Sequence, residues 1–262
     1  MLSPIEQLAQ AFNCAERVLI ITGAGLSADS GLPTYRGVGG LYNSNTNDGV
    51  PIEVALSGPM LQRDPALCWK YLAELGRACL GAQPNQGHEV IAQLQRLKPH
   101  CWLLTQNIDG FHRAAGSPDE RLIEIHGQLA PLYCQSCGQK DDDLARRLAA
   151  ALPPLCRRCA GVMRPPVVLF EEMLPEKAIH TLYEQLGEGF DLVLAIGTSA
   201  SFPYIVEPVL RARAIGAFTA EINPARTDLS DRVDLYIAGR ALDVLPELLS
   251  HISVNRICKS SP

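Results

Sequence analysis

Apolar residues recur along this chain with two different periods. Ile5, Leu8, Ala9 and Phe12 fall at helical spacing, so residues 4–14 read as a helix. "RVLIIT" (17–22) follows at once. It is a short apolar run rich in β-branched residues, which suits a parallel strand buried on both faces. "CWLLT" (101–105), "RLIEI" (121–125), "VVLF" (167–170), "LVLAIG" (192–197) and "FTAEIN" (218–223) are of the same kind. Helical stretches fall between several of them, at 87–97, 176–187, 204–215 and 241–250. Strands alternating with helices predict an α/β fold with a doubly wound, Rossmann-like parallel sheet.

Two stretches break that alternation. Residues 38–85 begin with the polar loop "VGGLYNSNTNDG" and continue into helical segments, and residues 131–164 contain paired cysteines. We read residues 1–37, 86–130 and 165–262 as the Rossmann-like domain. Residues 38–85 and 131–164 then form a smaller module inserted beside the sheet, part helical and part cysteine-bearing.

Composition narrows the function classes. With 47% hydrophobic and 19% charged residues the chain has the makings of a packed core rather than of disorder. A net charge of -5 gives no reason to expect nucleic acid or anionic membrane as a partner. The longest apolar runs are of strand length, which predicts no membrane span. The N-terminus carries Glu6 and no basic run, unlike a secretory signal, so a cytoplasmic location is the expectation. The nine cysteines then read as reduced thiols or metal ligands rather than disulfides. Nothing in the sequence demands an oligomer.

The strongest chemical signal is a pair of CxxC turns, Cys134 with Cys137 and Cys156 with Cys159. Four thiolates on two tight turns match the tetrahedral preference of zinc, and four protein ligands leave no position for a substrate, so we expect one structural zinc ion. An iron–sulfur site or redox cysteines are the alternatives. Cys14, Cys68, Cys79, Cys101 and Cys258 have no such spacing and read as small buried hydrophobes.

"GAGLSA" (23–28) matches the glycine pattern of a dinucleotide loop after a strand, although a plain strand-to-helix turn has the same form. The helix that should follow has room for barely a turn before Gly31 and Pro33, and no acidic ribose-binding residue stands clearly some 20 residues on. A hydride-transferring dehydrogenase is therefore a poor fit. Asn223, after "FTAEI", is either a ribose contact or a turn former before Pro224. "TQNIDGFH" (105–112) follows a strand and carries Gln106, Asn107, Asp109 and His112 to the C-terminal edge of the sheet. "IHG" (125–127) does the same for His126, and "GTS" (197–199) adds two hydroxyls. Three polar tails on one edge predict a ligand crevice there. His126 is the better-placed base. His112 reads as a helix-start or packing residue, and His88, His100, His180 and His251 as structural or solvated.

"GAGLSADSGLPTYRG", "TQNIDGFH", "HG", the two CxxC pairs, "VVLF-E", "GTS" and "EINP" occur here in one order that resembles the sirtuins, NAD-dependent protein lysine deacylases, over residues 18–250 or so. The resemblance implies that NAD is cleaved between nicotinamide and ribose rather than used as a hydride carrier. It implies that Gly23, Ala24 and Gly25 line the pyrophosphate. Ala28, Asp29, Pro33, Thr34, Tyr35 and Arg36 would belong to a loop that closes over the cofactor. Tyr35 would shield the reacting ribose carbon and Arg36 would contact phosphate. Asn107 and Asp109 would hold the ribose and the nicotinamide carboxamide, with Gln106 and Ile108 beside them. His126 would act as general base on a ribose hydroxyl. Gly197, Thr198 and Ser199 resemble the phosphate- and ribose-contacting turn, and Asn223 and Ala241 match the adenosine half.

By the same resemblance, an acetylated lysine of a protein or peptide is the partner. It would lie as an added strand between "VVLFEE" and "SASFPY" and pass Val168 and Phe170 in an apolar tunnel. Nicotinamide, free lysine and O-acetyl-ADP-ribose are the products implied.

The chain departs from that pattern in three places. Glu171 stands where a glycine is usual. It adds a charge beside the peptide strand, which either favours basic flanking residues or weakens peptide binding. "GTSASFP" lacks the usual bulky apolar residue after the serine. A Tyr-x-x-Arg pair for acidic acyl groups is missing: the nearest pair, Tyr71 and Arg77, does not share a helix face, and the matching positions fall near Leu72 and Leu75. A mono-ADP-ribosyltransferase on the same scaffold and a non-enzymatic NAD-binding regulator are the competing functions.

Overall fold

Val18–Ile21 offers no polar side chain to water, and all four residues are fully buried at the centre of the sheet. The computed structural model describes residues 2–34 and 46–252, so the expectations for Tyr35 and Arg36 lie outside the described residues. In chain order the elements are α1 (Pro4–Cys14), β1 (Arg17–Thr22), α2 (Ala24–Ser27), α3 (Ile52–Ala55), α4 (Gly58–Arg63), α5 (Pro65–Gly81), α6 (Gln86–Leu97), β2 (His100–Thr105), α7 (Phe111–Ala114), β3 (Leu122–Glu124), β4 (Leu132–Cys134), β5 (Lys140–Asp141), α8 (Leu144–Ala149), β6 (Met163–Arg164), α9 (Glu176–Glu188), β7 (Leu192–Ile196), α10 (Pro203–Ala214), β8 (Phe218–Asn223), β9 (Leu235–Ala238) and α11 (Ala241–His251).

The main sheet runs β3-β2-β1-β7-β8-β9 with every pairing parallel. Ile20 sits opposite Leu103 on one side and Leu194 on the other. Alternate residues of β1 serve opposite faces. Val18 and Ile20 pack with Leu8, Phe12, Ile91, Leu94, Leu245 and Leu248 of α1, α6 and α11. Leu19 and Ile21 pack with Leu182, Ile205 and Val209 of α9 and α10. Such two-sided burial, at about 25 cal/mol per Å² of apolar surface, is why these strands read as continuous apolar runs. The chain reverses its winding direction between β1 and β7, and ligands of doubly wound sheets bind at such a switch point.

A second apolar cluster joins buried residues of 52–73 with buried residues of 129–169. Trp69 of α5 is almost fully buried and donates from Nε1 to the carbonyl of Met163 in β6, at 2.9 Å. A small antiparallel sheet, β5-β4-β6, carries the first cysteine turn at the end of β4. No helix of the described residues is long and apolar enough to cross a membrane.

Three expectations need correction. "VVLF" (167–170) is not a strand of the main sheet: it makes isolated bridges, Gly127 to Val167 and Ser57 to Phe170. Its apolar run buries Val167 and Leu169 in the apolar cluster of Trp69, Leu72, Leu132 and Met163 instead. The sheet takes its sixth strand from 235–238, an edge strand whose half-buried residues give a weak pattern. Among the cysteines, Cys68 and Cys101 are buried free thiols and Cys79 is half-buried, but Cys14 is disulfide-bonded.

Candidate active site

The glycine loop leaves β1 at Gly23 and runs into a single helical turn, α2, then a 3₁₀ turn over Ala28–Ser30 that ends at Gly31 with φ +86°. Gly25 donates its N–H to Gly197 O at 2.8 Å, and Gly23 donates to Ile196 O at 3.2 Å. The loop after β1 is thus laid directly on the turn after β7. A Cβ on Gly23 would come within 2.9 Å of Thr198, so the glycines serve this turn-on-turn contact.

Polar side chains collect around the contact. Gln106 donates from Nε2 to Thr198 Oγ1 at 2.7 Å, and Asn223 donates from Nδ2 to Thr198 O at 2.9 Å, so Asn223 fastens the 197–199 turn. Thr198 is buried and Ser199 exposed. Asn107, only 6% exposed, donates from Nδ2 to Gly23 O and Ser27 Oγ, both at 3.1 Å. Ser27 in turn donates to Asp109 Oδ2 at 2.7 Å, while Oδ1 accepts from the Phe111 N–H at 2.9 Å. Burial raises the Asp109 carboxyl above its ordinary value, and those two hydrogen bonds oppose the shift.

Ser27 lies inside the glycine motif with nothing in the sequence to distinguish it; its place between Asn107 and Asp109 makes it part of the site. Behind it lie His88 and His112, buried and in ring contact at 5.0 Å. Burial pushes His88 down to about 4 and His112 well below its ordinary value, so both are neutral and structural. His112 binds Thr22 Oγ1 at 2.9 Å. Ala24, Ser27, Leu32, Pro33, Leu75, Ala78, Cys79, Asn107, Ile108 and Asp109 line a cavity between this network and α5. Thr34 is half-buried just beyond Pro33. Asp29 pairs with Arg240, which precedes Ala241 at the start of α11; Ala241 itself is buried in the apolar layer of α6 and α11.

His126 emerges after β3. Its Nδ1 lies 2.9 Å from Gln106 O, which can only accept, so Nδ1 carries the proton and Nε2 has the lone pair. Burial lowers the His126 pKa, with the Gln106 carbonyl opposing. Nε2 lies 2.8 Å from the Tyr204 hydroxyl. Tyr204 and its near neighbour Phe202 lie in the 199–204 segment, whose sequence gives no sign that their rings meet the histidine.

Val168 donates its N–H to His126 O at 2.9 Å; Phe170 donates to Leu56 O and accepts from Gly58, both at 3.0 Å. The 167–170 segment therefore ties the histidine to Leu56 and Gly58. Arg164, itself buried, holds it through a pair with the half-buried Glu172, with contacts of 2.6 and 2.8 Å. Glu171 is exposed with φ +66°. The left-handed backbone explains why a glycine suits this position, a different reason from the close approach expected from sequence.

The four sulfurs of Cys134, Cys137, Cys156 and Cys159 lie within 4.8 Å of one another. Two of the separations are 3.5 and 3.7 Å. A tetrahedral ion about 2.3 Å from each sulfur sets spacings of about 3.8 Å, so the cluster fits zinc.

The family model of the Sir2 family matches residues 23–203. An NAD-dependent protein deacylase 2 of Pseudomonas aeruginosa is 71% identical over 250 residues, covering 95% of this chain and 98% of its own length. A Sir2 homologue solved with NAD has a TM-score of 0.82 at 32% identity, covering 94% of this chain and 93% of that one. A Sir2 variant solved with a deacetylated p53 peptide and 3′-O-acetyl-ADP-ribose has a TM-score of 0.85 at 26% identity, covering 95% and 99%.

Proposed function

The chain belongs to the Sir2 family, and from that premise we infer that it is an NAD-dependent protein deacylase whose substrate is acetyl-lysine in proteins. One observation carries the reading of the site: His126, Gln106, Asn107, Asp109, Thr198 and Ser199 converge on the edge of the sheet at its switch point. That set offers the donors and acceptors a ribose and a carboxamide need.

Asn107 and Asp109, locked by Gly23 O, Ser27 and the Phe111 N–H, hold the carboxamide and ribose of NAD in one orientation. Gln106, Thr198 and Asn223 form a rigid floor under the ribose and phosphates. His126 takes a proton from a ribose hydroxyl at Nε2, and its burial keeps it neutral and ready near pH 7. Leu32 and Pro33, on the wall of the cavity beside Asn107 and Asp109, shield the reacting carbon from water. Zinc, when bound, cross-links the two cysteine turns and supplies no reacting group.

The peptide adds as a strand beside 167–170, with Val168 and Phe170 guiding the acyl-lysine toward His126. Leu75, Ala78 and Cys79 give the cavity wall an apolar character. Tyr71 is committed to Asp48 at 2.5 Å and Arg77 to Leu148 O at 2.8 Å, so neither is free to grip an acidic acyl group. The reading is an enzyme of the cytoplasm that removes acetyl in preference to succinyl or malonyl. A panel of matched acyl-lysine peptides tests it: acetyl should be removed at least about tenfold faster than succinyl, the discrimination expected when an unpaired charge meets an apolar wall. Equal or faster removal of succinyl would overturn the acyl preference.

A further inference from the structure

Three hydrogen bonds connect Thr198 back to Tyr204 by way of the base. Gln106 Nε2 donates to Thr198 Oγ1, His126 Nδ1 donates to Gln106 O, and Tyr204 completes the chain at His126 Nε2, 2.8 Å away. With the imidazole proton fixed on Nδ1, the phenol is the donor in the last bond. Burial pushes the Tyr204 phenol up to about 12, so it keeps its proton throughout the working range. Phe202 stacks on Tyr204 with centroids 5.3 Å apart and planes 12° from parallel, and both rings meet His126 edge-on. The hydroxyl is therefore aimed by its own stack, and Pro203 between the two rings stiffens the turn into α10.

We propose that Tyr204 is a positioning residue that reserves the Nε2 of His126: in the resting site its hydroxyl fills the place that a ribose hydroxyl takes in the reaction. The proposal rests on the reading of His126 as the base that meets the ribose. A neutral imidazole has one lone pair, so it accepts from the phenol or from the ribose, not both. Ribose binding then exchanges one hydrogen bond for another, and the phenol returns when the product leaves. Because Tyr204 lies six residues along the same segment from Thr198, displacing the phenol and seating the ribose are motions of one short stretch of chain. The benefit is a base whose ring orientation is fixed and whose lone pair is covered between turnovers. The cost is weaker ribose binding.

The test is the affinity for ADP-ribose, measured by calorimetry on four proteins: wild type, Tyr204→Phe, His126→Ala and the double variant. Tyr204→Phe keeps the stack and removes the competing donor. It should bind ADP-ribose about 2- to 10-fold more tightly, the scale of one net hydrogen bond. In the His126→Ala background the same change should have no effect, which is a coupling that a merely structural tyrosine would not show. Unchanged or weaker binding by Tyr204→Phe in the wild-type background, or the same gain in both backgrounds, would overturn the proposal. Deacetylation by His126→Ala at the wild-type rate would instead remove His126 from its role, so the two failures are distinct.

Discussion

The backbones of Gly25 and Gly197 meet with no room for a side chain. A Cβ on Gly25 would lie 2.8 Å from the Cα and carbonyl oxygen of Gly197, and one on Gly197 would lie 2.6 Å from the Leu26 nitrogen. Gly197 also has φ +58°. Gly197→Ala therefore meets backbone strain of about 1 kcal/mol and an overlap with backbone that no side-chain rotation relieves. It should lose about 2 kcal/mol or more in urea unfolding, and ADP-ribose binding should fall with it. Gly31→Ala is the contrast: φ is +86° but the space is open, so the loss should be about 1 kcal/mol and confined to strain.

Glu171 adopts the left-handed conformation without the freedom of a glycine. Glu171→Gly should raise stability by about 0.5–1 kcal/mol, read as a small rise in Tm. It should also reduce any preference for peptides with basic residues beside the acyl-lysine, measured as kcat/KM for basic against acidic flanks. A fall in Tm would contradict the strain assigned here.

Stability should depend on pH through the buried histidines. The folded pKa of His88 is held near 4, below the ordinary 6.5, so between those values the unfolded chain binds more protons than the folded one. The contribution is fully present above pH 6.5 and is lost as pH falls toward 4, with a span of about 3 kcal/mol for His88. His112 acts in the same direction. His88→Gln should flatten the dependence in urea titrations across that window. Activity should show its own acid limb: His126 is lowered by burial, so kcat/KM should hold to below pH 6.5 and fall once the imidazole protonates.

Much of this site was legible as sequence because its chemistry sits in short local motifs. The apolar runs of β1, β7 and β8 are buried on both faces and leave a strong signal, as do the CxxC turns. The weaker parts are those that tertiary contact decides. Residues 235–238 form an edge strand with one buried side chain, Ile237, and so lack the signature of their neighbours. Residues 167–170 carry the same apolar pattern as a central strand, yet their hydrogen bonds go to Leu56 and His126. Ser27 and Tyr204 are common residues at the end of a single helical turn and at a helix start. Only the folded chain shows that one joins Asn107 to Asp109 and the other covers the base.

The four-cysteine cluster should be structural. Cys134→Ala should release zinc, seen by metal analysis, and lower the unfolding temperature, because apolar residues of α5 and β6 share one cluster with Cys134 and Cys156. Because the ion supplies no reacting group, whatever activity survives should fall with the folded fraction. A zinc-free protein of unchanged stability and activity would contradict the assignment.

The central claim is acyl transfer from lysine to ADP-ribose, and quantitative mass spectrometry of one reaction tests it most directly. Purified protein, NAD and an acetyl-lysine peptide should yield deacetylated peptide, nicotinamide and O-acetyl-ADP-ribose in equal amounts, and His126→Ala should yield none of the three at a comparable rate. Nicotinamide release with the peptide still acetylated, and ADP-ribose attached to a protein instead, would contradict it.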